Sequence, residues 1–215
     1  MGGFLLRVAA MALGLAGPAL AQDAAPPPAA AAGCEFHVWP ADALMSVYYG
    51  WFHGSTVNGQ IMGRPGYPSV PPDPIATATQ AAILAELQPQ RLIGREDYRL
   101  IVHPEALPSR VIRANAGRLT ESTSACYAEL IVDDIVLQQG ALSGSFLKVL
   151  AHYRDFGPDP TPRRSFATWS QSRLTVFPPS SPDRLEVALA EIRQAYRHDL
   201  ALFAQAARTP PRRRR

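Results

Sequence analysis

The chain has 215 residues, 47% of them hydrophobic, with 21 basic and 18 acidic residues and a formal charge of +3. The basic balance belongs to the C-terminal tail: losing Arg7 lowers +3 to +2, and losing Arg212, Arg213, Arg214 and Arg215 as well lowers it to −2. No apolar run approaches the roughly 20 residues of a membrane span, which excludes an integral helical membrane protein.

The first 21 residues read as a secretory signal peptide. Arg7 forms a short positive n-region, residues 8–17 an apolar h-region, and Ala19-Leu20-Ala21 a small-x-small cleavage site. A mature N-terminus at Gln22 and a periplasmic or secreted location follow from this reading. Residues 22–33, rich in alanine and proline, are expected to be a tether. The foldable part then runs over residues 34–208, enough for a single well-buried domain. Residues 209–215 are expected to be a disordered arginine-rich tail.

Two cysteines in an oxidising compartment predict one disulfide, Cys34–Cys126. Its loop of roughly 90 residues would contribute roughly 4 to 5 kcal/mol in the chain-entropy model. A rival reading makes Cys34 a lipidated N-terminus, because Ala31-Ala32-Gly33-Cys34 has the look of a lipobox. Against it, Gln22, Asp23 and a proline stretch separate that motif from the apolar run.

Along the domain, residues 35–39 alternate and are rich in aromatic and branched side chains, as a strand does. From Ala41 the period changes. Leu44, Val47, Tyr48, Trp51 and Phe52 fall at helical spacing, so a helix is expected there. A second helix is expected from the Asp73-Pro74 pair to about Leu87. Strands are expected at 97–103, 109–112 and 125–132, the last continuing over 135–138 past a bulge at Asp133-Asp134. A long strand over 145–156 places Leu147, Val149, Ala151 and Tyr153 on one face. Phe146, Lys148, Leu150, His152 and Arg154 lie on the other. Residues 165–171 and 174–177 read as one interrupted strand.

The last helix is the clearest element. Ser181 is placed as its N-cap and Pro182 at its first turn. Leu185, Leu189, Ile192, Tyr196, Leu200 and Phe203 form a continuous apolar stripe. The fold expected is α+β: two layers, a mainly antiparallel sheet covered by helices that include this long C-terminal one. That order of elements resembles the small α/β domains of envelope-assembly proteins such as the curli-secretion lipoprotein. No motif is shared, so the likeness implies architecture only.

Catalytic motifs fail on inspection. Ser145-Phe146-Leu147-Lys148 fits the Ser-x-x-Lys of penicillin-binding proteins, but it opens a strand instead of a helix. The Lys-Thr-Gly partner is impossible because Lys148 is the sole lysine. Asp155-Phe156-Gly157 matches a kinase tripeptide with no glycine-rich loop before it, and reads as turn chemistry. The five histidines include no metal-binding pair at helical spacing; His103 and His152 could face each other across strands. No metal or cofactor is expected.

Two weak binding signals remain. Residues 58–72 form a long glycine- and proline-rich loop in which Arg64 and Tyr67 are the candidate ligand-binding pair. The aromatic run Tyr48, Tyr49, Trp51, Phe52 and His53 could line a groove, though at helical spacing it reads as core. Arg212 to Arg215 would give weak contact with an anionic surface. An exported protein seldom meets nucleic acid, so none is expected as a partner. The function expected is that of a non-enzymatic envelope protein that binds a partner protein or an anionic envelope component. The alternative is an envelope hydrolase whose site is assembled by the fold.

Overall fold

The protein is described here by a computed structural model, in which residues 33–49, 54–55, 70–140 and 142–209 are described. The leader, most of the tether, Trp51 to His53, Arg64, Tyr67 and Arg212 to Arg215 lie outside them.

Among the described residues, seven strands form one sheet. It is organised by the two longest, β5 (Tyr127–Gly140) and β6 (Gly144–Gly157), which pair antiparallel as a hairpin. Gly144, with φ +82°, takes the left-handed conformation that the turn requires. β7 (Arg164–Leu174) continues the antiparallel series on β6 and is the edge strand on that side. On its other edge β5 is long enough to hold two shorter strands end to end, both parallel to it. β1 (Glu35–Trp39) pairs with its first half and β2 (Met45–Tyr49) with its second. The short β3 (Gly54–Ser55) pairs with β2, and β4 (Arg99–Val102) pairs parallel with β1 at the far edge. The expected class holds: α+β, mainly antiparallel, with a long C-terminal helix. The parallel contacts of β1 arise because a helical crossover, α1 (Thr77–Leu87) and α2 (Pro89–Ile93), returns the chain to the same end of the sheet.

Two expectations are corrected. The segment expected as a helix from Ala41 holds the strand β2, after four irregular residues. The half of β5 beyond Trp39 offers unpaired backbone groups, and satisfying them through β2 outweighs an accidental helical spacing. The predicted strand at 109–112 is the short helix α3 (Ser109–Ala114), which follows Pro108 and turns Ile112 inward. Four residues are too few to separate the two periods. The bulge at Asp133-Asp134 is present as a register shift between Val132 and Asp134. β7 ends at Leu174 instead of continuing to residue 177.

Helices α1, α2 and α4 (Leu185–Arg208) cover one face of the sheet. The expected stripe of α4 supplies Ile192, Tyr196, Leu200 and Phe203 to the core, while Leu189 is half-buried against it. Pro182 opens a 3-10 turn ahead of α4, and Ser181 makes no capping bond there. Gln80 is a fully buried polar residue with a structural reason. Its Oε1 accepts the Ala41 N–H (2.9 Å), and its Nε2 donates to the carbonyls of Ile75 and Asp42. The amide thereby fastens α1 to the crossover between β1 and β2.

Candidate functional site

The alternation of each strand sends a second set of side chains to the face away from the helices. This second face has two halves of opposite character.

One half is covered. The segment from His103 to Ser124, with α3 in it, lies over the ends of β1, β5 and β6. Trp39, Ile112 and Ile131 form a small apolar cluster there, with Leu107 and Leu119 against it. Charged groups surround that cluster, and each has a partner. Glu129 is fully buried, accepts the Tyr127 hydroxyl (2.8 Å) and pairs with Arg154. Burial pushes its carboxyl up, and the Arg154 guanidinium opposes the shift. Arg154 also donates to the Asn115 carbonyl (2.6 Å), which ties the covering segment down. Asp133, the bulge residue, accepts the Ser109 hydroxyl (2.5 Å) and lies 3.2 Å from His152 Nε2. The expected facing of His103 and His152 is not found: each has a different neighbour.

His103 belongs instead to a line of three groups. Glu35 Oε2 lies 3.2 Å from His37 Nε2, and His37 Nδ1 lies 2.9 Å from His103 Nε2. Hydrogen bonding from Ser122, above all, holds the Glu35 carboxyl down at about 2; Ser124 and Arg99 also donate to it. Burial lowers both imidazoles, which favours their neutral forms. The Trp39 ring stacks on His103 with centroids 4.1 Å apart. Neutral His37 then carries its proton on Nε2 toward Glu35 and accepts from His103. A carboxylate and two imidazoles in line suggest acid–base chemistry. The hydroxyls of Ser122 and Ser124 already donate to Glu35, and among the described residues no hydroxyl is hydrogen-bonded to His103. Among the described residues no group of three acidic, histidine or cysteine side chains is placed to hold a metal. The arrangement clasps the covering segment to the sheet.

The Cys34–Cys126 disulfide sits at the margin of this half, with Cα atoms 4.6 Å apart. It joins the start of β1 to the start of β5, and it occupies the sulfur that the lipidated reading of Cys34 requires. Ser145 to Lys148 lie on β6 and make no catalytic arrangement. Asp155 is occupied by Arg95, the Tyr153 hydroxyl and the Gly157 N–H.

The other half is open. β2 contributes Met45 and Tyr49, β5 contributes Val136, β6 contributes Phe146 and Leu150, and β7 contributes Trp169. Tyr49 is 48% exposed and Trp169 47% exposed. A sheet face left to solvent should carry polar side chains, and this one sets exposed Met45, Tyr49 and Trp169 and half-buried Val136, Phe146 and Leu150 among Gln138, Lys148, Gln171 and Arg173. Part of that signal was present in the sequence, where Phe146 and Leu150 share a face with Lys148 and Arg154 on a strand whose opposite face is also apolar.

No protein-family model matches this chain, and no curated protein matches it. One solved structure, of an uncharacterised protein, aligns over 79% of this chain and 90% of its own, with 11% identity and a TM-score of 0.34. A likeness at that level carries no argument.

Proposed function

We propose that this chain is an exported, non-enzymatic protein of the cell envelope, and that it binds a partner protein through the open half of its sheet. The observation that carries the reading is the set of apolar side chains, Met45, Tyr49 and Trp169 exposed and Val136, Phe146 and Leu150 half-buried, on strands whose opposite face packs against the helices. Contiguous exposed apolar surface of this kind marks an interaction site. The disulfide supports the compartment, because such bonds persist where the surroundings are oxidising. The leader-like first 21 residues support the route, and Arg212 to Arg215 would add a weak, salt-sensitive attraction to anionic surfaces.

A photo-crosslinking residue at position 146 tests this in the organism that makes the protein, with position 186 on the helical side as the control. The reading expects an adduct of one defined mass at 146 and none at 186. Adducts that are the same at both positions, or none at 146, would remove it. Phe146→Asp should abolish the adduct formed from a second probe at position 136 while leaving the thermal midpoint within a few degrees of wild type.

A further inference from the structure

We infer that the free edge of β7 pairs antiparallel with β7 of a second copy of this chain, about a twofold axis that passes beside Trp169. This goes beyond the partner-binding reading, which concerns the face of the sheet and not its edge.

The two edges of the sheet differ in how they are protected. β4 ends the sheet on one side with four residues. β7 ends it on the other with 11, paired to β6 throughout without a register shift. Among the described residues, its backbone makes no backbone–backbone hydrogen bond outside the ladders, and the Trp169 carbonyl accepts the Thr168 hydroxyl (3.4 Å). Natural edge strands are guarded by proline, lysine, bulges or shortness. Arg-Ser-Phe-Ala-Thr-Trp-Ser-Gln-Ser-Arg-Leu has no proline, lysine or bulge, and its arginines stand only near the ends. An exposed tryptophan sits at its midpoint. A strand that long, regular and unguarded is built to be paired.

The second copy is the occupant because the strand fits itself in one register. Two antiparallel strands that share a sheet face shift only in steps of two residues. The centred register sets Trp169 against its own twin and matches all 11 residues. It places Thr168 opposite Ser170, Ala167 opposite Gln171, and Ser165 opposite Arg173, with no like charges face to face. A shift of two residues one way sets Arg163 against Arg173, a repulsive pair. Either shift leaves two residues of each strand unmatched, Arg173 and Leu174 in the first and Arg164 and Ser165 in the other. The centred dimer also joins the two open faces into one continuous surface.

The test uses the full chain with its native disulfide closed. Light scattering should give twice the chain mass, and Trp169→Glu, which sets two carboxylates opposite each other, should return it to the monomer with an unchanged circular-dichroism spectrum and a melt that no longer depends on protein concentration. Trp169→Cys should form a linked dimer on a non-reducing gel, because twin positions at the axis lie within disulfide reach. Gln171→Cys should not, since its twin is displaced by about 14 Å along the strand. A monomeric wild type over the accessible concentration range would overturn the proposal. So would equal crosslinking of Trp169→Cys and Gln171→Cys, which would show collision without register.

Discussion

The covered and open halves of the second sheet face are made by the same strands, yet they use side chains in opposite ways. β6 carries both. Arg154 and His152 lie under the segment from His103 to Ser124, while Leu150 and Phe146, on the same face a few residues back, meet solvent. In the covered half the strands present charged and aromatic groups, and a loop supplies the matching partners. In the open half the strands interleave apolar groups with Lys148, Gln138 and Gln171. The charged groups fix the position of the loop, because every buried polar atom left without its partner costs free energy. The apolar groups require no particular geometry of what covers them, which suits a surface completed by another molecule.

That contrast breaks or sharpens under mutation. The largest effect should come from removing the bridge at the margin of the covered half. The Cys34→Ser/Cys126→Ser double variant should lose about 4 to 5 kcal/mol in urea unfolding, by the loop-closure argument. A loss below about 1 kcal/mol would show that the covered half holds β1 against β5 unaided. Next, Arg154→Ala leaves Glu129 buried and unpaired and should cost about 3 to 5 kcal/mol. Lys148→Ala, on the same face of the same strand in the open half, should stay within about 0.5 kcal/mol. Equal losses for the two would erase the distinction between the halves.

The smallest effect is in pH dependence. His37 and His103 are lowered by burial, so their contribution is present above the ordinary histidine value of 6.5 and is lost as pH falls below it. Glu35 and Arg99 face His37 with opposite influence. Asp199, buried between α4 and β7 beside Ser172, runs the other way: burial raises it to about 7, so its contribution is lost as pH rises through that value. The two oppose each other over the acid range. Asp199→Asn should therefore be less sensitive than wild type to alkalinity and more sensitive to acid. Unfolding midpoints at pH 5 and pH 7.5 measure this, and parallel pH profiles would contradict it. Relative to the intrinsic exchange rate at each pH, protection across residues 104–124 should fall at pH 5, since the histidine clasp holds that segment.

What could be read in the sequence follows the range of the physics. The stripe of α4 is legible because a 24-residue helix repeats its period many times. The bulge is legible because Asp133 and Asp134 interrupt an otherwise apolar strand. The disulfide is legible from two cysteines and a compartment. The identity of β2 is not, because it depends on spare length in β5, which lies some 90 residues later in the chain. The line of Glu35, His37 and His103 is invisible for the same reason: it exists only once β4 is set beside β1. The open face is half legible, as the second apolar face of β6 shows, but its extent needs the strand order. Arg64, Tyr67 and the arginine tail fall outside the described residues.

The pairing of β1 also bears on when the domain is able to form. This strand opens the domain, yet both of its neighbours come much later: β4 is 64 residues on, and β5 is 92. A strand with only distant partners has no local structure to settle into, and its pairing must wait for a long loop to close. Until the first turns of β5 have been made, Phe36 and Val38 have no sheet to enter and α1 has nothing to cover. Pairing of β1 is thus postponed until β5 has been made, by the order of the strands. The first strand of the domain is therefore among the last to be paired, and its apolar side chains stay uncovered until the second half of the chain has emerged.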